Sequence, residues 1–150
     1  LKKIIALLKA KNKTIVFTNG CFDILHYGHV RHLEQAKTKG DVLVVAINSD
    51  SSIKRIKGKS RPIVNQFDRS RLVAALQSVD FVIIFNEITP LKIIKMLRPH
   101  ILVKGGDWNK NAVVGKEFVE SYGGKIIVLS YLKSRASSAI IKVIKDGISR

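Results

Sequence analysis

Several features that narrow the function of a protein are scarce in this sequence. Cys21 is the single cysteine in 150 residues, so an internal disulfide and a cysteine-based zinc cluster are excluded. No apolar run approaches the roughly 18 residues of a membrane span. The basic N-terminal stretch LKKIIALLKAKNK is too short and too interrupted in its apolar part for a signal peptide. We therefore expect a cytoplasmic protein with no membrane partner.

Acidic residues are also scarce. There are 11 Asp and Glu against 27 Lys and Arg, and the formal net charge is +16. Such a charge suits a protein that binds nucleic acid or an enzyme with anionic substrates. The basic residues are spread along the chain without a stripe of aromatic partners for stacking bases. We therefore expect no nucleic-acid partner, and keep a basic nucleic-acid-binding module as the alternative from another functional class.

The familiar phosphate-binding loops are absent. The pattern GxGxxG occurs nowhere, and the GKS at 58–60 has Ile53 where a Walker A loop needs its first glycine. Neither a dinucleotide-binding Rossmann domain nor a P-loop NTPase is supported.

Short, nearly continuous apolar runs alternate with segments of helical period. Runs of this kind are typical of strands buried on both faces of a parallel sheet. The predicted strands are 14–18, 42–47, 80–85, 100–105 and 125–130, and the predicted helices are 1–11, 28–39, 67–77, 90–97, 112–121 and 137–146. This alternation predicts one domain over 1–150, an α/β fold with a doubly wound five-stranded parallel sheet of order 3-2-1-4-5.

Two segments of unusual composition follow the first and fourth strands. In such a sheet, ligands bind beyond the carboxyl ends of the strands where the winding reverses, which is between these two strands. The segments are NGCFDILHYGH (19–29) and GGDWNK (105–110). The stretch 54–66 is predicted to be a long irregular loop, and long loops are often functional.

The first of these segments predicts a phosphate site. It has a turn at Gly20, and then His26 and His29 on either side of Gly28, where a helix begins. Two imidazoles and the backbone N–H groups of a helix N-terminus can hold a phosphate chain, and Gly28 lets that chain approach the backbone. Three alternatives remain open: metal ligation by His26, His29 and His32, purely structural histidines, and a nucleophilic role for Cys21, which we expect to be a core residue.

The stretch GCFDILHYGHVRHLEQA resembles the HxGH signature of the nucleotidylyltransferase superfamily, in the form of its cytidylyltransferase-like branch. Together with DRSRLVAALQSVDFVIIF, PHILVKGGDW and VESYGGKIIVLSY, it is similar to the D-glycero-β-D-manno-heptose 1-phosphate adenylyltransferase family. The resemblance implies a Rossmann-like nucleotidylyltransferase fold and transfer of AMP from ATP, with Mg²⁺, to a sugar 1-phosphate. In that family the domain occurs alone or as the C-terminal half of a protein that also carries a sugar kinase. A homodimer is expected from the resemblance.

The resemblance also implies roles for particular residues. His26, His29, Arg69 and Lys104 would be catalytic, with Arg69 binding phosphate from the start of its helix and Lys57 and Arg61 closing over the anions. Asp23 would either help to hold Mg²⁺ or orient the site. The segment SRASSAII differs from the Ser-Thr-Thr clasp of the family, because Ala136 stands in place of the first serine. The nucleotide-binding residues implied are Thr18, Asn19, Gly20, Cys21, Phe22, Asp23, Gly28, Gly105, Gly106, Asp107, Ser137 and Ser138.

The sequence determines the nucleotide base and the acceptor substrate less closely than it determines the reaction class. No single side chain in the sequence reads adenine. A cytidylyltransferase that acts on glycerol 3-phosphate or a related alcohol phosphate is therefore the alternative within the superfamily.

Overall fold

The structure is a computed structural model that describes residues 1–106, 112–130 and 137–148. Within these residues the chain forms seven helices and five strands. The helices are α1 (Lys2–Ala10), α2 (Tyr27–Lys37), α3 (Asp50–Lys57), α4 (Gln66–Ala74), α5 (Leu91–Leu97), α6 (Lys116–Glu120) and α7 (Ser137–Ile148). The strands are β1 (Ile15–Gly20), β2 (Val42–Asn48), β3 (Phe81–Phe85), β4 (Ile101–Gly105) and β5 (Lys125–Leu129).

The five strands form one parallel sheet in the order β3-β2-β1-β4-β5. The predicted fold class and strand order are confirmed. The winding reverses between β1 and β4, so the carboxyl ends of these two strands lie side by side with a crevice beyond them.

Apolar side chains alternate between the two faces of the sheet, and helices cover both faces. Phe17 of β1 packs on the face that α1, α5 and α6 cover, whereas its neighbour Val16 packs on the face that α2 and α4 cover. Burial on both faces explains why the strands read as continuous apolar runs. None of the helices in the described part of the chain combines the length and the apolar character needed to cross a bilayer.

The prediction of an irregular loop over 54–66 was wrong at its start, because α3 runs to Lys57. The hydroxyl of Ser49 caps this helix by accepting a hydrogen bond from the Ser52 N–H (3.2 Å), and Ile53 is its buried anchor. The connecting loop is therefore residues 58–65.

The predicted helix 112–121 was also too long, since α6 begins at Lys116. Gly115 precedes it with a φ of 91°, a left-handed conformation that interrupts a helix.

Candidate active site

A cavity of about 500 Å³ lies beyond the carboxyl ends of β1 and β4, at the predicted position. Its wall is formed by the end of β1, the first turns of α2, the loop after α3 and the ends of β4 and β5. The residues that line it are Asn19, Gly20, Cys21, Phe22, His26, Gly28, His29, Arg31, His32, Lys57, Arg61, Gly105, Ser130 and Ser137. No acidic side chain is among these described lining residues, so the cavity is suited to an anion.

A strained turn carries the two histidines into this cavity. Between β1 and α2, Phe22 and Ile24 have φ angles of 50° and 58°, in the left-handed region that non-glycine residues rarely adopt. Backbone strain of this kind costs about 1–3 kcal/mol per residue and is concentrated at functional sites. Here the turn places His26 at the N-cap of α2 and His29 in its first turn.

The imidazole rings of His26 and His29 stack, with 3.8 Å between ring centroids and 25° between planes. Three positions apart at a helix start, they face the same side. Phe22 packs against the His29 ring at a centroid distance of 5.2 Å. The two rings therefore form one fixed unit beside the backbone N–H groups of the helix N-terminus.

The cavity lowers the pKa of two of its histidines. Burial, followed by the charges of His26, His32 and Lys57, lowers the pKa of His29 to about 3, with Asp23 acting in the opposite direction. Burial and the charge of Lys104 lower the pKa of His32 to about 4. Both imidazoles are therefore neutral at pH 7, and an anion in the cavity would favour their protonation.

His32 continues the histidine face one turn further along α2. Its Nε2 lies 3.0 Å from the Thr18 hydroxyl oxygen, and a Cβ at Gly105 would lie 2.8 Å from its Nδ1. Gly105 is thus required for the close approach of β4 to this ring. From the sequence, we named His32 only as one of three alternative metal ligands. Its spacing of three residues from His29 could have indicated that both rings lie on the same face of α2.

Asp23 and Arg61 connect the loop 58–65 to residues 21–26, the turn between β1 and α2 that we call the histidine turn. Asp23 is 1% exposed, and its carboxylate accepts hydrogen bonds from the backbone N–H groups of Ile63 (3.0 Å) and Val64 (2.9 Å) and from Arg61 Nε (2.5 Å). Burial alone would raise the pKa of Asp23, but these donors outweigh it and the pKa is lowered. Both oxygens of Asp23 are thus occupied by the protein.

Arg69, which the resemblance implies binds phosphate, is not among the described residues that line the cavity. It is 1% exposed, and donates to the backbone oxygens of Val64 (2.9 Å) and Cys21 (2.5 Å) and to Asp50 (2.8 Å). A guanidinium whose three nitrogens all have such partners holds the loop and the histidine turn together from below.

Lys104 faces a second cavity of about 350 Å³ that adjoins the first. Its Nζ donates to Asn19 Oδ1, and burial lowers its pKa to about 8. Both cavities are lined by Asn19, Gly20, Cys21 and Gly105. The second is also lined by Asn48, Ile56, Ile88, Thr89, Pro90 and Val114. Two compartments thus meet at the carboxyl ends of β1 and β4.

The profile of the cytidylyltransferase-like family matches residues 17–145, which include every described residue that lines the two cavities. The chain belongs to the cytidylyltransferase-like family. The bifunctional protein HldE from Geotalea uraniireducens is 49% identical over 98% of this chain and 30% of its own length. HldE from Campylobacter jejuni subsp. doylei is 49% identical over 97% of this chain and 31% of its length. The chain therefore spans about 30% of the length of these relatives.

Two solved structures share the fold of this chain. The lipopolysaccharide core biosynthesis protein from Thermoplasma volcanium has a TM-score of 0.66 and 30% identity, over 80% of this chain and 97% of its own. The pantoate-beta-alanine ligase from Francisella tularensis has a TM-score of 0.61 at 20% identity, over 96% of this chain and 74% of its own, and shows the fold alone.

The structure brings together most of the family residues predicted from the sequence. The first cavity is lined by Asn19, Gly20, Cys21, Phe22, His26, Gly28, His29, Gly105 and Ser137. Thr18 is fully buried and reaches the cavity through His32, and Gly106 follows β4 with a φ of 100°. Asp107, Ala136 and the side chain of Ser138 lie outside the described residues. Arg31, Ser130 and Asn48 line the cavities and were not predicted.

The described residues contain no group of three or more His, Cys, Asp or Glu side chains arranged to hold a metal ion. His26 and His29 stack on each other. Mg²⁺ prefers oxygen ligands and is usually bound through one or two carboxylates together with substrate phosphates. The donors of this cavity are thus suited to phosphate oxygens.

Proposed function

We propose that the protein transfers AMP from ATP to D-glycero-β-D-manno-heptose 1-phosphate, giving ADP-heptose and pyrophosphate, in the cytoplasm. The observation that carries this proposal is the stacked pair His26 and His29 at the start of α2, in a cavity whose described lining includes cations and no carboxylate. The family signature around this pair and the similarity to HldE proteins support the reaction. The short coverage of HldE supports a domain that forms one part of a bifunctional protein.

We assign the triphosphate to the charged end of the first cavity. Lys57 and Arg61 approach from the β2 side, and His26 and His29 from α2. At the end toward β4 and β5, the described lining includes Gly105 and Ser130, which carry no charge, and Ser137 at the start of α7 also lines the cavity. ATP has the matching polarity, with its charge on the phosphates and a neutral nucleoside, so we assign the nucleoside to that end.

We assign the acceptor to the second cavity. It shares Asn19–Cys21 and Gly105 with the first, so molecules in the two cavities would meet at the ends of β1 and β4. Lys104, at this boundary, supplies a positive charge for the phosphate of the acceptor. The volume of about 350 Å³ lies within the range of small-molecule sites.

In this arrangement an acceptor phosphate oxygen attacks the α-phosphorus in line, and pyrophosphate leaves toward Lys57 and Arg61. The chemistry needs no protein nucleophile, so the side chains contribute position and charge stabilisation. His26 and His29 donate to phosphate oxygens, and these bonds strengthen as negative charge builds in the transition state. Lys104 orients the attacking phosphate.

Mg²⁺ is proposed to enter as the ATP complex and to neutralise part of the charge on the phosphates. The protein supplies cationic donors, and the Asp23 carboxylate is occupied by Ile63, Val64 and Arg61. Coordination through substrate phosphates and water is the usual mode for Mg²⁺ in such sites.

A cytidylyltransferase that acts on glycerol 3-phosphate is the second candidate, because the matching family profile is cytidylyltransferase-like. A panel of ATP or CTP with heptose 1-phosphate or glycerol 3-phosphate separates the two by pyrophosphate release. We expect the fastest release with ATP and the heptose. Preference for CTP with glycerol 3-phosphate would transfer the assignment, and no release in any of the four combinations would contradict both.

A further inference from the structure

Asp23 is a buried carboxylate within a cationic site. It lies three residues before His26 in the turn between β1 and α2, and its side chain is 1% exposed. A buried carboxylate is costly unless charge and hydrogen bonds compensate it. Here every described partner comes from the loop 58–65, about forty positions further along the chain.

The partners of Asp23 include a residue that lines the nucleotide cavity. Two nitrogens of Arg61 contact the Asp23 carboxylate: Nε donates a hydrogen bond and Nη2 forms an ion pair. The Arg61 side chain lines the first cavity and is 13% exposed. A guanidinium has five N–H donors in one plane, more than this carboxylate accepts, so Arg61 retains donors for an anion. The carboxylate therefore fixes the plane in which those donors lie.

The rest of the loop depends on the same carboxylate. Lys59, Ser60 and Ile63 are exposed to solvent, yet the Ile63 and Val64 N–H groups turn inward to Asp23. From below, Arg69 binds the Val64 and Cys21 carbonyl oxygens, which belong to the same two segments. The loop is thus joined to the histidine turn by one anionic and one cationic side chain.

We infer that Asp23 is a positioning residue for Arg61, which it holds at the triphosphate end of the cavity, and that it is not a ligand of Mg²⁺. The inference rests on the proposed function, since the anion that Arg61 meets is taken to be the triphosphate. A metal ion on Asp23 would have to displace the two backbone N–H groups or Arg61.

A double-mutant cycle in ATP binding tests this inference. The variants are Asp23→Asn, Arg61→Gln and the double substitution, with affinity measured by calorimetry in the presence of Mg²⁺ and without acceptor. We expect each single variant to weaken binding by about tenfold or more, because a charge-assisted contact to phosphate is lost. The double variant should be no weaker than Arg61→Gln alone, and the Mg²⁺ concentration for half-maximal binding should be unchanged.

Asp41→Asn is the matched control. Asp41 also accepts a backbone N–H, from Thr14 (2.7 Å), and pairs with Lys13, but it lies at the amino ends of β1 and β2, away from the cavities at their carboxyl ends. Its substitution should leave ATP affinity as in the natural sequence.

Three outcomes would overturn the inference. One is ATP binding by a folded Asp23→Asn protein as tight as that of the natural protein. Another is a loss that persists in full on the Arg61→Gln background with a raised Mg²⁺ requirement, which would make Asp23 a metal ligand. The third applies if Asp23→Asn does not fold, and is an unchanged ATP affinity of the variant Arg61→Lys. Lysine keeps the positive charge but lacks the planar guanidinium that Asp23 is inferred to orient. Absence of ATP binding by the natural protein would instead overturn the proposed function, and the inference with it.

Discussion

The imidazole of His29 is neutral at pH 7 because burial and the charges of His26, His32 and Lys57 lower its pKa to about 3. Its Nδ1 is buried and has no hydrogen-bond partner among the described residues. A buried polar atom without a partner costs about 1–3 kcal/mol, and a substrate oxygen at this atom would remove that cost. In the free protein, Nδ1 of His29 can thus form a hydrogen bond with a ligand.

If the stacked histidines stabilise the transition state, replacing either should lower turnover with the fold retained. We expect His26→Ala and His29→Ala each to reduce kcat by about two to three orders of magnitude, as for the loss of an oxyanion donor. Steady-state kinetics and circular dichroism measure the two quantities. Glu34→Ala, an exposed position on the same helix, is the control. Near-normal turnover in both histidine variants would remove them from the mechanism.

Nucleotide binding should take up protons. The triphosphate charge favours protonated imidazoles, so it should raise the pKa values of His29 and His32 from about 3 and 4 toward neutrality. The complex then holds more protons than the free protein below about pH 6.5, and affinity for ATP should rise as the pH falls from 7.5 to 6.

Calorimetry in two buffers of different ionisation enthalpy measures this uptake. The groups that face the two rings are His26, Lys57, Asp23 and Lys104. The uptake at pH 6 should shrink in the double variant His29→Gln/His32→Gln. Proton release on binding would contradict the assignment of the triphosphate to this end of the cavity.

Among the elements, Arg69 connects α4 with three other segments of the chain. From α4 it reaches the loop 58–65 through Val64, the histidine turn through Cys21 and the start of α3 through Asp50. It is also among the largest fully buried side chains. A charge of this kind is stabilising only while all of its partners are present.

Arg69→Ala should therefore destabilise the fold by about 3 kcal/mol, since it removes a large buried side chain and leaves the Asp50 carboxylate and two part-buried carbonyl oxygens without this donor. Urea unfolding monitored by fluorescence gives the free energy. Arg71→Ala, exposed on the same helix, should change it by less than about 0.5 kcal/mol. Equal stability of the two variants would show that Arg69 is not a structural centre.

The elements that the sequence predicted best are those with a strong local signal. The buried strands appear as β-branched runs such as VLVVAI, and β1 to β5 all fall within two residues of the predicted bounds. Helix α3 was missed because most of its exposed residues are Lys and Arg and Ile53 is its one buried apolar residue.

The histidine pair could be predicted because its spacing is local, whereas the partners of Asp23 and Arg69 could not. Arg61 is 38 residues from Asp23, and Cys21 is 48 residues from Arg69. Only the tertiary fold shows that Asp23 holds the loop 58–65 and that Arg69 is a buried side chain that joins several segments. Proximity of Lys104 to the second cavity likewise follows from the register of β4 beside β1.

For the whole molecule, the two cavities account for only part of the net charge of +16. Part of it faces the cavities, and many lysines lie exposed elsewhere, as in α1 and α3. Binding to random duplex DNA should thus be weak and should collapse between about 50 and 200 mM salt, because phosphate contacts of this kind release counterions. Fluorescence anisotropy measures it. Tight, sequence-selective binding at physiological salt would favour the nucleic-acid alternative.

In the proposed reaction the α-phosphorus of ATP is the reacting atom, and the acceptor lies in the adjoining cavity. Separate incubations with ATP labelled at the α- or the γ-phosphorus, in the presence of heptose 1-phosphate and Mg²⁺, test it most directly. The α label should appear in an ADP-sugar and the γ label in pyrophosphate, at equal rates. Transfer of the γ label to the sugar, or release of the α label as free AMP without an ADP-sugar, would contradict it.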